Sequence, residues 1–487
     1  KTNANGVLST NKFCQTAGNE YKLYAKKDSS YSYEYRITTA GPSGSDDGTP
    51  FSIAHNAAKK GTSSETVTWM ANSKSAEGNA FIEYRPKEST DTERAEGTSV
   101  VQQFPQSKDS VYINRVELSG LKSGTVYEYR AGDGSIWSEW STFSTAAADD
   151  KTAFFVIGDT QLTGNTDSDK DAVDLLTKIG GDIAKENTDF GLQTGDYVDN
   201  AGYSDKWTQI INLFGSCFGS TDIVHVLGNH EYYGDESGKI SNRLIGGDGR
   251  DYYSVEYDDV YVAVINNGAD MAEAAEWLKE DALKSDCQWK VLSVHQPPYY
   301  TNEKGSSQGF NKNIPPMAEA AGIDAVFSGH DHSYARTEPL RDGKVDKKDG
   351  ITYFICGDLG EKSRDSEYAI TTEDKFSFAK TTQDYDALYL LVKTDENKMN
   401  VTAKDADGTV VDTYTIKSIC ADGHDCVYDP ETKEAKCKKC RKVIKDYTGF
   451  VKDVKGNEYY LIKGTPARGW IDILDDEDEN KTDAYYF

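Results

Sequence analysis

The chain has little positive charge, few cysteines and no long apolar segment, and each deficit excludes a class of protein. Lysine and arginine number 54 against 81 aspartates and glutamates, a formal net charge of −27, which argues against a nucleic acid or an anionic membrane surface as partner. No stretch approaches the roughly 18 apolar residues of a membrane-spanning helix. Eight cysteines among 487 residues are too few for a disulfide scaffold. We therefore expect an acidic globular protein of two to four domains without a transmembrane segment.

The start of the chain and its aromatic content indicate where the protein works. The chain begins at Lys1 rather than at methionine, so we expect that a signal peptide has been removed. The 31 tyrosines are typical of extracellular proteins and of proteins that contact carbohydrate. Together these features predict a secreted or cell-surface protein.

The first part of the chain predicts a β domain. Residues 1–50 are polar and stay unassigned, whereas residues 51–147 contain short alternating runs punctuated by glycine, which favour an antiparallel β-sandwich. The segment from Leu121 to Arg130, with Tyr127 and Tyr129, resembles the tyrosine-corner segment of a fibronectin type III domain; an unrelated β-hairpin is the alternative. No catalytic constellation lies in this part.

Residues 148–418 alternate between apolar strands and helical patterns, which predicts an α/β domain. Five successive apolar stretches in this region each end in a polar residue. Because sites in α/β sheets form beyond the carboxyl ends of strands, we expect these residues to lie together. The five are Asp159, Asp196, Asn229, His295 and His330.

The last of these stretches is followed by two of the chain's seven histidines, His330 and His332, which are two residues apart. A surface turn with two solvated imidazoles would explain the pair, and so would a loop that directs two neutral nitrogen ligands at metal. The other strand ends favour the metal. Asp331, which lies between the histidines, is expected to shape the loop or to support a ligand rather than to bind metal itself.

The combined side chains offer oxygen and nitrogen ligands without thiolate, which suits Mn²⁺, Fe, Zn²⁺ or Mg²⁺. Two carboxylates, one amide and three imidazoles are too many for one ion that keeps open positions. They suit two ions that share a carboxylate, an arrangement that holds a phosphoryl group and activates water. His230, beside the ligand Asn229, remains available as an acid.

The motifs, in order, are Gly158-Asp159, Gly195-Asp196, Gly228-Asn229-His230-Glu231, Val294-His295 and Gly329-His330-Asp331-His332. This series resembles the calcineurin-like metallophosphoesterase superfamily. The preceding sandwich, together with His295 to Tyr299 and Ser328 to Thr337, is similar to purple acid phosphatases and their bacterial relatives over roughly residues 51–417. The resemblance implies an α/β domain with two mixed sheets flanked by helices, and a phosphoric ester hydrolase of the acid phosphatase type.

The resemblance also implies a role for each site residue. One metal takes Asp159, Asp196 and His332, and the other takes Asp196, Asn229, His295 and His330. His230 contacts phosphate and protonates the leaving oxygen, while a metal-bridging hydroxide attacks phosphorus in line. The implied cofactors are two ions of Fe, Mn or Zn, and the implied partner is a phosphate ester.

Two positions depart from the purple acid phosphatase pattern. Gln161 stands where those enzymes have glycine and other members of the superfamily have a histidine ligand; Asp199 stands where they have the tyrosine that gives the purple colour. We expect the Gln161 amide oxygen to complete the first site, with Asp199 and then Tyr197 as alternatives. An amide in place of a phenolate favours two divalent ions, so the protein should lack a strong visible band.

Three functions remain open on this centre. A phosphomonoesterase is favoured, a phosphodiesterase or nucleotidase would use the same residues, and a surface binding protein with a vestigial phosphoesterase fold is the third. Because His230 is present, which a scaffold does not need, the sequence favours an enzyme.

Beyond the catalytic pattern, residues 419–445 form a Cys/His knuckle with Cys420, His424, Cys426, Cys437 and Cys440. A structural zinc, disulfides and free thiols are all compatible with its irregular spacing. Residues 446–487 are rich in aromatic residues and resemble the cell-wall-binding repeats of Gram-positive surface proteins, which implies cell-wall contact; a small β-hairpin tail is the alternative.

Overall fold

The computed structural model of the protein describes most of the chain. The described residues are 20–27, 30–38, 48–72, 79–165, 168–247, 249–303, 308–359, 369–418, 425–438, 443–444, 446–468, 470–475 and 478–486. No helix among them has the length and apolar character needed to cross a membrane.

The N-terminal part begins with a hairpin and continues as a β-sandwich. The hairpin pairs β1 (Glu20–Lys27) with β2 (Ser30–Thr38), inside the segment left unassigned from sequence. The sandwich strands are β3 (Phe51–Asn56), β4 (Ser64–Asn72), β5 (Phe81–Pro86), β6 (Glu93–Glu96), β7 (Thr98–Gln103), β8 (Ser110–Ser119), β9 (Val126–Gly132) and β10 (Ser141–Ser144).

The two sheets of the sandwich, ordered β10-β9-β5-β6 and β3-β4-β8-β7, enclose a core that includes Trp69, Val116 and Phe143. The predicted antiparallel sandwich is therefore confirmed. Tyr127 is buried in this core, and its hydroxyl accepts a hydrogen bond of 2.9 Å from the backbone N–H of Lys122. That contact fits a tyrosine corner, although the fibronectin type III resemblance stays a prediction.

The α/β domain alternates helices with strands, as predicted. Its elements are β11 (Ala153–Ile157), α1 (Lys170–Ile183), β12 (Phe190–Gln193), α2 (Ser204–Phe218), β13 (Asp222–His225), a 3₁₀ turn (His230–Tyr232), α3 (Lys239–Leu244), β14 (Tyr252–Tyr257), β15 (Val260–Ile265), α4 (Met271–Ala282), β16 (Trp289–Val294), α5 (Gln308–Ala321), β17 (Ala325–Ser328), β18 (Tyr334–Thr337), β19 (Leu340–Arg341), β20 (Lys344–Val345), β21 (Thr352–Cys356), β22 (Phe378–Thr382), β23 (Leu388–Thr394), β24 (Lys398–Asp405) and β25 (Val410–Lys417).

Two mixed sheets pack face to face between helices, as the resemblance implied. The first runs β25-β24-β23-β11-β12-β13-β3-β4-β8-β7 and the second β14-β15-β16-β17-β21-β18-β22. Alternate side chains of β11 explain the layering. Phe154 joins the core between the sheets with Val262 and Phe327, whereas Phe155 points outward to a second core beneath α1 and α2.

The first sheet does not stop at the domain boundary. β13 pairs in parallel with β3, with Ile223 opposite Asn56, so four strands of the sandwich extend the catalytic sheet. The helix α5 was not predicted from sequence, because it contains Pro315 and Pro316, residues that usually end a helix.

The C-terminal part is a small β module. Its strands are β26 (Cys426–Asp429), β27 (Glu434–Cys437), β28 (Gly449–Asp453), β29 (Glu458–Ile462) and β30 (Thr465–Pro466), followed by a hairpin of β31 (Trp470–Asp475) and β32 (Asp478–Tyr486). Cys426 and Cys437 are buried opposite each other on β26 and β27. Because Cys420, His424 and Cys440 lie outside the described residues, the zinc site stays a prediction.

Candidate metal centre

The predicted site residues lie together in loops at the carboxyl ends of strands from both sheets. β11, β12 and β13 are neighbours in the first sheet, and the loops that follow them carry Asp159, Asp196 and Asn229. β16 and β17 are neighbours in the second sheet, and the loops that follow them carry His295 and His330. Because the sheets pack face to face, the two groups of side chains face each other.

Asp196, His295 and His330 form one half of the site, and their ligand atoms all lie within 4.8 Å of one another. His295 Nε2 is 3.2 Å from Asp196 Oδ2 and 3.3 Å from His330 Nδ1. The Oδ1 atom of Asn229 is buried without a hydrogen-bond partner, while its amide nitrogen donates to the Tyr233 hydroxyl. Asn229 directly precedes His230, whose backbone N–H donates to Asp196 Oδ1 at 3.0 Å, so a buried amide oxygen without a partner at this position fits a bound cation.

Asp159 and His332 form the second half of the site. Asp159 Oδ1 is 3.6 Å from His332 Nε2, and the backbone N–H of His330 donates to both carboxylate oxygens of Asp159 at 3.0 and 2.9 Å. The carboxylate of Asp358 lies 3.9 Å from the other imidazole nitrogen of His332. Ligand histidines in metal sites usually face such an outer carboxylate, so this half also fits a cation.

Gln161 is the residue best placed to complete the half that contains Asp159 and His332. Its amide nitrogen donates to Asp196 Oδ2 at 2.8 Å, so the amide lies directly against the carboxylate expected to bridge. The alternatives are engaged elsewhere: the Asp199 carboxylate pairs with Lys206, and the Tyr197 hydroxyl bonds to His225 in the core. Because an amide binds a cation through its oxygen, we expect the Gln161 amide to turn over when metal is present.

His230 faces the same cluster from the 3₁₀ turn after β13. Its Nδ1 lies 2.9 Å from the carbonyl oxygen of Asp199, which can only accept, so Nδ1 carries a proton. Its Nε2 points inward and lies 3.7 Å from Asp196 Oδ2. The ring packs on Tyr233, with centroids 4.7 Å apart. Only Nε2 is therefore free to exchange a proton with a bound molecule.

Comparison with known proteins agrees with this geometry. Residues 152–334 match the calcineurin-like phosphoesterase family, and residues 50–145 match the purple acid phosphatase N-terminal domain. The chain carries a calcineurin-like metallophosphoesterase domain. The resemblance to calcineurin-like metallophosphoesterases is therefore confirmed, and so is the β-sandwich domain that precedes the phosphoesterase domain.

Individual relatives have low sequence identity to this chain but match it over half of its length or more. Purple acid phosphatase 18 of Arabidopsis thaliana is 27% identical over 61% of this chain and 68% of its own. Purple acid phosphatase 15 of the same plant is 26% identical over 52% of this chain and 54% of its own. A purple acid phosphatase from yellow lupin (Lupinus luteus) seeds superposes with a TM-score of 0.65 at 16% identity, over 82% of this chain and 79% of that one. These matches support a phosphoric ester hydrolase.

Burial sets the charge balance in the phosphoesterase site. Desolvation raises the pKa of Asp159 well above its usual range, and the nearby charge of Asp196 adds to that effect. Desolvation disfavours a charged His295, yet the carboxylates of Asp196 and Asp159 raise its pKa to about 10. These buried carboxylates therefore need a neighbouring positive charge, which bound cations would provide.

The backbone at the site is strained in a way the sequence does not reveal. Several non-glycine residues have φ in the left-handed region, at a cost of roughly 1–3 kcal/mol each. They are Asp159 at 52°, Gln161 at 41°, Asp196 at 57°, His330 at 73° and His332 at 49°. The motif glycines provide room for this geometry. A Cβ on Gly228 would lie 2.2 Å from Asp196 Oδ1, and one on Gly329 would lie 2.4 Å from Asp159 Oδ2.

Two buried acids support the ligand loops. Glu231, which the sequence analysis left without a role, accepts backbone hydrogen bonds of 2.8 Å from Asp196, Tyr197 and Gly228. It thereby joins the loops after β12 and β13, and its place directly after His230 was the available signal. Asp331 accepts hydrogen bonds from the backbone and hydroxyl of Thr301, so it shapes the loop, as the sequence analysis expected.

Proposed function

We propose that this protein hydrolyses phosphate esters, monoesters in preference to diesters, with two divalent ions held at the ends of both sheets. The observation that carries the proposal is the convergence of Asp196, His295 and His330, with the buried, unpartnered Oδ1 of Asn229 on an adjoining loop and His230 facing Asp196. A site for cations alone would not need an imidazole that keeps one nitrogen free toward the cluster.

The ligands divide into two sets that share Asp196. One set would be Asp159, Gln161, Asp196 and His332; the other would be Asp196, Asn229, His295 and His330. When bound, such a pair of ions supplies Lewis acidity toward the phosphoryl oxygens and lowers the pKa of water. Fe, Mn and Zn suit these ligands, and the absence of a phenolate at Asp199 favours a divalent pair.

His230 handles the proton of the leaving group. Its Nδ1 proton is held by the carbonyl oxygen of Asp199, so a second proton must reside on Nε2, the atom that faces the cluster. In the imidazolium form His230 can bind a phosphoryl oxygen and pass the Nε2 proton to the departing alkoxide or phenoxide. Tyr233 covers the outer face of the ring and limits its rotation.

The proposal is tested with three substrate classes. Protein stripped of metal and reloaded with Mn²⁺, Zn²⁺ or Fe²⁺ is assayed on an aryl phosphate monoester, a bis-aryl diester and a nucleotide. We expect the highest kcat/KM on the aryl monoester. A preference for the diester or nucleotide would replace the proposed reaction with the corresponding one on the same centre. Absence of turnover with every metal and substrate would favour a binding protein with a vestigial fold.

We also propose that the protein works outside the cytoplasm and contacts the cell wall through its C-terminal module. The high acidity and tyrosine content support the location, and Phe450, Val454 and Ile462 expose 48%, 85% and 44% of their surface on that module. Binding of the full chain to purified cell walls should fall in the Phe450→Ala, Ile462→Ala variant. Equal binding by both proteins would contradict the contact, and a purely cytoplasmic fraction would contradict the location.

A further inference from the structure

A second cluster of metal-ligand side chains lies at the junction between the sandwich and the phosphoesterase domain. His55 is on β3, Glu65 is on β4, and Asp222 is the first residue of β13. All three are buried, and one ligand atom from each lies within 4.8 Å of the others. Asp222 begins the strand whose far end leads to Asn229, so this cluster is separate from the candidate catalytic centre.

The contacts of the cluster leave three ligand atoms directed at one another. His55 Nδ1 lies 3.0 Å from Glu65 Oε1, while Nε2 of the same ring lies 2.9 Å from the Tyr129 hydroxyl. Asp222 Oδ2 accepts from the Tyr257 hydroxyl at 2.7 Å, whereas its Oδ1 is buried without a hydrogen-bond partner. The two phenols therefore orient the imidazole and one carboxylate from outside, as supporting residues do in metal sites.

The charge of the cluster is unbalanced. Glu65 and Asp222 are only 1% and 5% exposed, and among the described residues no lysine or arginine forms an ion pair with either carboxylate. Burial raises the pKa of Glu65 to about 8 and that of Asp222 well above its usual range, and it lowers that of His55 to about 4, so each carboxylate keeps its charge at neutral pH only beside a cation. Two buried carboxylates without compensation would cost several kcal/mol.

We propose that His55 Nδ1, Glu65 and Asp222 bind one divalent cation of the Zn²⁺ or Mn²⁺ type, which joins the sandwich to the phosphoesterase domain. One imidazole and two carboxylates suit these ions, and the ion balances both negative charges. Two ligand atoms at 2.0–2.1 Å from a tetrahedral ion are about 3.3 Å apart, close to the 3.0 Å between His55 Nδ1 and Glu65 Oε1.

The structural consequence is a reinforced junction. β13 and β3 pair at a single residue position, with Ile223 opposite Asn56, so few hydrogen bonds join the sheet where the two domains meet. An ion held by His55 and Glu65 from one side and by Asp222 from the other adds bonds across this short pairing. This site does not rest on the proposed hydrolysis, and loss of the catalytic centre leaves it in place.

The test counts metal in five full-length proteins purified with Zn²⁺ or Mn²⁺. They are the parent, a Glu65→Gln, Asp222→Asn variant, an Asp196→Asn, His295→Gln variant that lacks catalytic ligands, a protein that combines these four substitutions, and a control. We expect the first variant to hold one equivalent less than the parent, and the control Glu117→Gln, an exposed residue on β8, to hold the same amount as the parent. The Asp196→Asn, His295→Gln variant should bind one equivalent of metal more than the protein that combines all four substitutions.

Thermal melting gives a second measurement if the doubly substituted junction proves unstable. In the catalytic variant, added Zn²⁺ or Mn²⁺ should raise the Tm, and a further Glu65→Gln substitution should abolish that rise. Equal metal content in the parent and the Glu65→Gln, Asp222→Asn variant would overturn the site, because a shared proton would then balance the cluster. A Tm rise that survives Glu65→Gln would overturn it too.

Discussion

His230 shows how one residue acquires a role from its two ring contacts. The carbonyl of Asp199 holds a proton on Nδ1, and Tyr233 covers one face of the ring, so only Nε2 can exchange a proton with a ligand. This orientation depends on backbone and aromatic contacts. It does not require His230 to bind metal, and Asn229 beside it offers a separate, unpartnered oxygen for that purpose.

Replacement of His230, the proposed acid, should lower the turnover rate without lowering the amount of bound metal. In the His230→Ala variant we expect kcat on an aryl monoester to fall by about 10²–10⁴, the usual contribution of general acid catalysis. The loss should shrink with an activated leaving group that needs no proton. A fall of only a few-fold on both substrates, with unchanged metal content, would contradict the acid role.

At the residue scale, the candidate ligands could be predicted from the sequence, but the contacts that hold their loops could not. Asp159, Asp196 and His295 follow apolar strands, a pattern visible in the chain. Glu231 was not identified because its function depends on three backbone N–H groups from two loops, which only the fold brings together. The preference for Gln161 over Asp199 was a prediction from sequence, but the ion pair that engages Asp199 was not, because its partner Lys206 comes from α2.

At the scale of elements, β13 connects the catalytic edge to the sandwich through a buried polar chain. His225, the last residue of β13, bonds to the Tyr197 hydroxyl through Nδ1 and lies 2.7 Å from Asn56 Oδ1 through Nε2. Asn56 is on β3 and also donates to Thr68 on β4. Tyr197 directly follows Asp196, so the position of that ligand loop depends on packing at the domain junction.

His225, on β13, makes the stability of the folded protein depend on pH. Burial lowers the pKa of His225 from 6.5 to about 3, and the charge of Arg115 adds to the effect. The folded state therefore keeps His225 neutral while the unfolded state gains a proton below pH 6.5. The stabilisation is present above that pH and is lost as the pH falls from 6.5 toward 3.

Between pH 6 and 4, the free energy of unfolding of the parent should fall with pH more steeply than that of a His225→Gln variant, by up to about 1.4 kcal/mol per pH unit. Urea denaturation at several pH values measures both slopes. Parallel slopes would show that His225 is not held neutral in the folded protein.

Several strands of the sandwich are also joined by a stack of arginine side chains and aromatic rings on its outer sheet. Arg94 lies 3.8 Å from the Phe81 ring centroid and 5.5 Å from that of Trp137. Arg130 lies 4.7 Å from Trp137 and 5.1 Å from Trp140, which also receives Arg85 at 4.6 Å. The stack joins β5, β6 and β9 to the loop before β10.

Trp140→Ala removes two of these cation–π contacts, each worth about 0.5–1 kcal/mol when exposed. We expect it to lower the free energy of unfolding by about 1–2 kcal/mol. Val101→Ala, an exposed change on the edge strand β7, serves as the control. Urea denaturation should separate the two variants, and an equal loss in both would contradict a contribution from the stack.

At the scale of the whole molecule, the continuous ten-stranded sheet sets the relation between the domains. The sequence predicted a sandwich and an α/β domain because each has its own hydrophobic pattern. It could not predict their fusion, since the β13–β3 pairing joins residues 223 and 56, which share no local pattern. The second ligand cluster went unnoticed for the same reason: His55, Glu65 and Asp222 converge only through that pairing.

In the proposed function, strands of both sheets end at a metal-dependent hydrolytic centre built around Asp196. The most direct test follows the rate of aryl phosphate hydrolysis as Mn²⁺ or Zn²⁺ is returned to metal-stripped protein, for the parent and for Asp196→Asn. We predict that the stripped parent is inactive and recovers with metal, and that Asp196→Asn stays at least about 100-fold slower at every metal concentration. A stripped parent that keeps its rate, or an Asp196→Asn variant that matches the parent, would contradict metal-dependent hydrolysis centred on Asp196.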